Sequence, residues 1–302
     1  MAITLETGQD AILITGPTAS GKSALSLDLA ARYGGVVINA DSMQVYDTLR
    51  ILTARPSDTE MAGIEHRLYG HVPASETYST GAWTRDLAPV LDEIRERNRL
   101  PIIIGGTGLY FKALTGGLSA MPPVPAALRE ALRAELAAQG AAALHDALSR
   151  DDAEAAARIR PGDGQRILRA LEVKRASGRS ILAFQAESGP VLVDPDRALK
   201  LVVEPERALL RKRIDRRFST MLEEGAVEEV KRVLALELSP DLPVMKAIGV
   251  PQIAAMLAGT MTREQVVETA SAATRQYAKR QMTWFRNQLG PDWIRVDPAT
   301  CG

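Results

Sequence analysis

An eight-residue motif near the start of the chain constrains the fold more than any other feature. Gly16 to Ser23 reads Gly-Pro-Thr-Ala-Ser-Gly-Lys-Ser and matches G-x-x-x-x-G-K-S/T without a gap. The motif follows an apolar run at 11–15, typical of a buried parallel strand, and precedes helically spaced apolar residues over 22–33. This order predicts an α/β fold of the P-loop NTPase-like type, a parallel sheet with helices on both faces.

The chemistry of the motif predicts a site for two or more linked phosphates. Its glycines let backbone amides turn towards phosphate oxygens, and the following helix adds the positive end of its dipole. Lys22 supplies a point charge, and the Ser23 hydroxyl is a candidate ligand for Mg²⁺. The predicted diphosphate-binding residues are Gly16, Pro17, Thr18, Ala19, Ser20, Gly21, Lys22 and Ser23. The alternative is a chance glycine-rich turn, which the strand and helix on either side disfavour.

Three further apolar runs predict strands, and one long segment predicts only helices. The runs at 35–39, 101–104 and 199–203 continue the strand–helix alternation. From about 120 to 195 an Ala-, Leu- and Arg-rich stretch repeats its apolar residues every three or four positions. We therefore predict a catalytic core formed by 1–119 and 196–302, interrupted by an all-helical insertion domain at 120–195.

The composition excludes several classes of protein. The 37 basic and 37 acidic residues cancel, so a nucleic-acid partner would have to bind local basic patches. The single cysteine, Cys301, allows no internal disulfide and no cysteine-rich zinc site. The first residues do not resemble a signal peptide, and no apolar run approaches the about 18 residues of a membrane span. We expect a cytoplasmic protein with no membrane partner.

Asp41 is the strongest candidate for catalysis outside the motif. It directly follows the predicted strand 35–39, and ligands of parallel sheets bind at the carboxyl ends of the strands. Its carboxylate could hold Mg²⁺ through water, accept a proton from a substrate, or cap the next helix. No strand closing on an acid resembles a Walker B motif. This absence disfavours motor ATPases and signalling GTPases and favours a small transferase.

Several blocks in the same order resemble one family, the tRNA dimethylallyltransferases. The resemblance spans residues 11 to about 285. The matching blocks are 16–23, Asn39 to Tyr46, Gly105 to Tyr110, Gln165 to Val173, and Arg213 to Phe218. The P-loop is common to many families, whereas the blocks at 39–46 and 105–110 are far more specific.

The resemblance implies a reaction and a set of catalytic residues. Members transfer a dimethylallyl group from dimethylallyl diphosphate to N6 of the adenine 3′ of the anticodon, in tRNAs that read codons beginning with U. Asp41 corresponds to the general base, Thr107 to a threonine at the reacting centre, and Arg217 to a diphosphate ligand beside Lys22. Mg²⁺ bound at Ser23 is the implied cofactor, and the tRNA anticodon stem-loop is the implied partner. We expect a monomer.

The resemblance also implies tRNA contacts. An adenine must leave its stack to reach a P-loop site, and Ser42, Met43 and Gln44 are placed to receive it beside Asp41 and Thr107. The Gln44 amide could read a base edge with both a donor and an acceptor. The remaining expected tRNA contacts are Arg129, Gln165, Arg166, Ile167, Leu168 and Arg169. From the residues alone, these basic helix faces could equally be solvated surface, and Trp284 and Phe285 fit a core better than a stacking platform.

The sequence departs from the family pattern at two places, and three other functions compete with the one that the resemblance implies. Leu52 replaces a usual glycine, and 245–252 lacks the family's tyrosine and the basic residue after it. An adenylate isopentenyltransferase would use a free nucleotide, although the block at 165–173 favours RNA. A small-molecule kinase would transfer phosphate instead. A non-catalytic RNA-binding protein would need neither Asp41 nor Thr107.

Overall fold

A computed structural model describes residues 3–298, so Cys301 lies outside the described residues. Within this range, six parallel strands form one sheet in the order β3-β2-β4-β1-β5-β6. The strands are β1 (Ala11–Thr15), β2 (Gly35–Asn39), β3 (His66–Arg67), β4 (Leu100–Gly105), β5 (Ala198–Val203) and β6 (Ile294–Val296). The predicted α/β fold with a parallel sheet is confirmed.

Helices connect the strands and continue beyond them. The first four are α1 (Lys22–Tyr33), α2 (Asp58–Met61), α3 (Thr80–Glu96) and α4 (Gly108–Gly116). The next four are α5 (Ala126–Asp151), α6 (Ala153–Arg158), α7 (Gly164–Ser177) and α8 (Ile181–Gln185). The last four are α9 (Arg207–Glu223), α10 (Ala226–Leu234), α11 (Val250–Leu257) and α12 (Arg263–Gln288). No helix within residues 3–298 combines the length and the apolarity needed to cross a membrane.

The sheet is buried on both faces because alternate strand residues pack against different helices. Leu13 and Ile38 face a core that includes Trp83 of α3 and Phe285 of α12. Their neighbours along the strands face a second core that contains Leu29 of α1. This burial explains the continuous Val and Ile runs that made the four longer strands recognisable.

The chain separates into two compact units. Among the described residues, one unit consists of 3–115 and 192–298, and the other is Gly116–Val191, where the sequence predicts an insertion at 120–195. The described residues of the second unit form α5 to α8 and no strand. Leu144, Ile167 and Leu171 belong to its own apolar core. Within α5, Gly140 adopts φ 81°, which a glycine tolerates, and the helix is interrupted there.

Candidate active site

The loop after β1 forms a cradle at the carboxyl edge of the sheet. Gly21 adopts φ 97° immediately before α1, a left-handed conformation that glycine adopts without strain. Lys22 begins the helix, and its Nζ donates to the Pro17 carbonyl over 3.2 Å. Burial lowers the pKa of Lys22 to about 8; Asp41 opposes this shift and Arg217 adds to it. An anion bound beside this lysine would favour its charged form.

The loop after β2 holds Asp41 by backbone contacts. The Asp41 N–H donates to Oδ1 of Asn39 over 2.9 Å, and Asp41 Oδ1 accepts the Met43 N–H over 2.9 Å. Asn39 is itself buried and donates to the Leu68 carbonyl over 3.0 Å. Residues 42–45 form a turn and not a helix. Because no helix begins here, the alternative that Asp41 caps a helix is wrong. Its half-exposed carboxylate instead accepts a hydrogen bond within the turn.

The loop after β4 brings Thr107 beside Asp41. A methyl group on Gly105 would overlap the Ala40 carbonyl, so only glycine allows the ends of β2 and β4 to approach this closely. The Thr107 hydroxyl accepts the Ser42 N–H over 2.9 Å and lies 3.3 Å from the Ser42 hydroxyl. The order of the strands thus brings Thr107 to Asp41 and Ser42, which belong to a distant block of the sequence.

Helix α9 adds arginines to the cradle. Arg217 donates from Nη1 to the Thr18 hydroxyl over 3.2 Å, and Arg213 donates to the Ser20 carbonyl over 3.2 Å. Burial lowers the pKa of Arg217, and Asp41 is the largest opposing influence. Because an arginine remains charged despite such a shift, Arg217 keeps a cation next to the loop after β1.

Two cavities of different character meet at these residues. One, of about 820 Å³, contains the residues from Thr18 to Ser23 and a set of cations. Its cationic lining is Lys22, Arg50, Arg55, Arg213, Arg216 and Arg217. The other, of about 310 Å³, is walled mainly by apolar side chains, including Met43, Leu52, Phe218 and Ile248. Both cavities are lined by Thr18, Asp41, Thr53, Arg217 and Met221.

The predicted base-reading role of Gln44 needs correction. Its Nε2 donates to the Thr53 carbonyl over 2.9 Å and to the Ala54 carbonyl over 3.0 Å. Both amide hydrogens therefore hold the neighbouring loop, and only the amide oxygen remains to meet a base. Ser42 and Met43, by contrast, line the apolar cavity beside Asp41.

In the helical unit, the predicted tRNA contacts differ in exposure. Gln165 and Arg166 are exposed at the start of α7, whereas Leu168 and Arg169 are half-buried. Ile167 is fully buried in the core, so its side chain has no surface to offer to RNA. The nearly buried Glu172 pairs with Arg169 over 3.1 Å, and it lies 3.7 Å from Arg129.

Sequence reasoning missed two buried polar residues near this site. Glu229 of α10 accepts the backbone N–H groups of Arg50, Ile51 and Leu52 over 2.7 to 2.9 Å. Gln281 of α12 bonds to the loops after β1 and β4. The spacing of Gln281 from Ala278 and Phe285 places it on the buried face of its helix, a signal that could have singled it out. Phe285 is core, as predicted.

The fold and the cradle define a protein of the P-loop NTPase-like class, and comparisons specify its family. The sequence model of the IPP transferase family matches residues 44–288, and that of isopentenyl transferases matches residues 9–76. The tRNA dimethylallyltransferase of Agrobacterium fabrum is 63% identical over 97% of this chain and 99% of that protein. The tRNA dimethylallyltransferase of Rhizobium meliloti is also 63% identical, over 97% of each chain.

Solved structures agree with these sequence matches. The full-length tRNA isopentenylpyrophosphate transferase of Bacillus halodurans is 36% identical, with a TM-score of 0.68 over 96% of this chain and 90% of that one. A eukaryotic dimethylallyltransferase acting on tRNA is 28% identical, with a TM-score of 0.82 over 95% of this chain and 74% of that one. The chain therefore belongs to the tRNA dimethylallyltransferase family and is a prenyltransferase.

Proposed function

We propose that this enzyme transfers a dimethylallyl group from dimethylallyl diphosphate to N6 of the adenine 3′ of the anticodon, in tRNAs that read codons beginning with U, and releases diphosphate. The observation that carries the proposal is the pair of cavities that share Asp41, Thr18 and Arg217. One cavity is cationic and the other largely apolar, which matches a substrate with an anionic end and a hydrocarbon end.

The cationic cavity would bind the diphosphate. Negative charge develops on the leaving oxygen as its bond to the prenyl carbon breaks. Lys22, Arg217 and backbone amides of the loop that ends at Ser23 would stabilise that charge. Since these groups are already held by protein contacts, little reorganisation is needed during the reaction.

Asp41 would act as the general base for the incoming adenine. The adenine amine is a weak nucleophile because its lone pair is delocalised into the ring, and it improves as its proton leaves. Asp41 Oδ1 is occupied by the Met43 N–H, so Oδ2 is the atom that we assign to accept the proton. Thr107, held against Ser42, would orient the amine through its hydroxyl. A positioned base contributes about 10²- to 10⁴-fold in rate.

Mg²⁺ fits the oxygen donors of this cavity. Ser23 is exposed at the start of α1, and its hydroxyl shares the cavity with the Asp41 carboxylate. Hydroxyl, carboxylate and phosphate oxygens are the ligands that Mg²⁺ prefers, and it commonly keeps several waters. We propose that Ser23 holds Mg²⁺ together with the diphosphate, where the ion would neutralise charge on the leaving group.

The helical unit would bind tRNA through exposed residues of α7. Gln165 and Arg166 are free of the core, and arginine contacts RNA phosphates and stacks on unpaired bases. Arg129 and Arg169 would serve RNA less directly, because both lie near Glu172. In the catalytic unit, Ser42 and Met43 would contact the extruded adenine. We further propose that the enzyme acts as a cytoplasmic monomer.

The test is transfer of radiolabelled dimethylallyl diphosphate in the presence of Mg²⁺. One tube contains an unmodified tRNA with adenine 3′ of its anticodon, a second contains the same tRNA with guanine there, and a third contains AMP. Label in the first tube alone is the expected result. Label in AMP would indicate a free-nucleotide enzyme, and label in none would contradict the proposal.

A further inference from the structure

Gln281 connects two loops whose relative position matters for the proposed reaction. Its Oε1 accepts the Thr18 N–H over 2.9 Å, and its Nε2 donates to the Gly106 carbonyl over 2.9 Å. Thr18 belongs to the phosphate loop after β1, and Gly106 directly precedes Thr107 after β4. One side chain on α12 therefore bridges the ends of two neighbouring strands.

The bridge is buried and closely fitted. Gln281 is 6% exposed, so nearly all of its surface is covered by other residues of the protein. A methyl group on Gly106 would overlap Gln281 Nε2 and would lie 3.4 Å from Asp41 Oδ2. Gln281 Nε2 and the carboxylate oxygen assigned as the base therefore both lie next to Gly106. A side chain at 106 would therefore have to displace the Gln281 amide.

The two loops that Gln281 joins contact different parts of the proposed site. On one side, the Thr18 hydroxyl accepts from Arg217, so Thr18 is held through its backbone by Gln281 and through its side chain by Arg217. On the other side, Thr107 holds the backbone of Ser42, which follows Asp41. We infer that Gln281 is a positioning residue that sets the distance between the leaving-group cradle and the groups that bind and deprotonate the adenine amine.

This inference rests on the proposed function and predicts a specific kinetic pattern. A small displacement between reacting groups lowers the rate of the chemical step, by up to about 100-fold for a shift near 1 Å. Gln281→Met keeps the approximate length and removes both hydrogen bonds. We expect kcat for prenyl transfer to fall about 10- to 100-fold, while KM for tRNA stays within about twofold because the side chain is buried.

A control on the same helix separates positioning from a general loss of packing. Ser271 is also a buried polar residue of α12, and its hydroxyl has no hydrogen-bond partner among residues 3–298. Ser271→Ala should retain wild-type kcat and KM. Thermal unfolding of wild type and variants gives Tm values, and kinetics are measured well below the lowest of these.

Gln281→Glu supplies a readout that lost packing would not produce. The carboxylate keeps an acceptor for the Thr18 N–H but faces the Gly106 carbonyl without a hydrogen to donate. Protonation restores that donor, so the ratio of variant to wild-type kcat should rise as the pH is lowered. The corresponding ratio for Gln281→Met should not change with pH, because methionine has no proton to gain.

The possible results test the proposed function and the positioning role of Gln281 separately. An inactive wild-type enzyme would overturn the proposed function itself. An active wild type with fully active Gln281→Met, or with an increased KM for tRNA as its main defect, would overturn only the positioning role. A ratio for Gln281→Glu that falls as the pH is lowered would also overturn it, since the protonated form that can donate to Gly106 would then be the less active one.

Discussion

The carboxyl edge of the sheet and the helical unit 116–191 both present polar side chains, but they hold them differently. At the sheet edge, partners are distant in the sequence: Glu229 binds the loop at 50–52, and Gln281 binds Thr18 and Gly106. In the helical unit, Arg166 pairs with Asp163 and Arg169 with Glu172, each one helical turn away.

This difference predicts how substitutions act. At the sheet edge, one side chain holds several backbone groups, so its loss should displace whole loops, and effects should be large and not additive. Ion pairs one turn apart on an exposed helix are each worth only a few tenths of a kcal/mol. The effects of substitutions on the exposed surface of α7 should therefore be small and independent of one another.

The largest expected effect is at Asp41. Asp41→Asn removes the proposed base without changing the size of the side chain, and kcat should fall about 10²- to 10⁴-fold. The affinity for inorganic diphosphate should change little, because Lys22 and Arg217 remain. The matched control is Asp28→Asn on α1, an exposed aspartate paired with Arg32, which should retain full activity. Undiminished turnover of Asp41→Asn would remove Asp41 as the base.

The next effect concerns stability at the sheet edge. Glu229 is 1% exposed and accepts three backbone N–H groups. Glu229→Gln should lower the free energy of unfolding by about 1–3 kcal/mol, because the amide cannot accept all three. Urea denaturation measures this change. Glu228→Gln, on the exposed face of the same helix, should stay within about 0.5 kcal/mol of wild type. Equal midpoints for both variants would show that the buried bonds add nothing.

The third effect is a pH dependence of diphosphate binding. In the free protein burial lowers the pKa of Lys22 to about 8, so the lysine is charged below this pH and loses its proton above it. An anion binds the charged form. The advantage of wild type over Lys22→Met should therefore be greatest below pH 8 and should decline above it, by up to about tenfold per pH unit.

Calorimetry with inorganic diphosphate measures this dependence. Comparing the two proteins at each pH cancels the ionisation of the ligand itself. Lys22→Arg is the control, since arginine stays charged over this range and should show no such decline. A wild-type advantage that is constant from pH 7 to pH 9.5 would contradict the lowered pKa.

The smallest expected effect is on the helical unit. Arg166→Ala should weaken tRNA binding modestly and should reduce the slope of log K against log salt by about 0.7–0.9, the loss of one phosphate contact. Filter binding at several salt concentrations measures both quantities. The control is Arg232→Ala, which removes an exposed arginine from α10 of the catalytic unit. An unchanged slope for Arg166→Ala would mean that α7 does not contact a phosphate.

Much of the fold was predictable from local patterns. The runs at 11–15 and 35–39 became strands at the predicted residues, because buried parallel strands need continuous apolar sequence. Strands β3 and β6 were missed because two or three residues carry no recognisable period. The stretch at 120–195 was predicted to be helical and contains α7, yet the sequence alone did not reveal that Ile167 faces the core.

The sequence by itself determined which groups are available: a glycine-rich loop with a lysine, an aspartate after a strand, and a threonine after a glycine pair. These are properties of contiguous residues, which short motifs encode. Only the tertiary structure decided which of these groups meet. It also decided that the Gln44 amide binds a neighbouring loop, and that Gln281 and Glu229 hold the site from helices distant in the sequence. A buried hydrogen bond depends on where two strands end in space, and no local spacing records that distance.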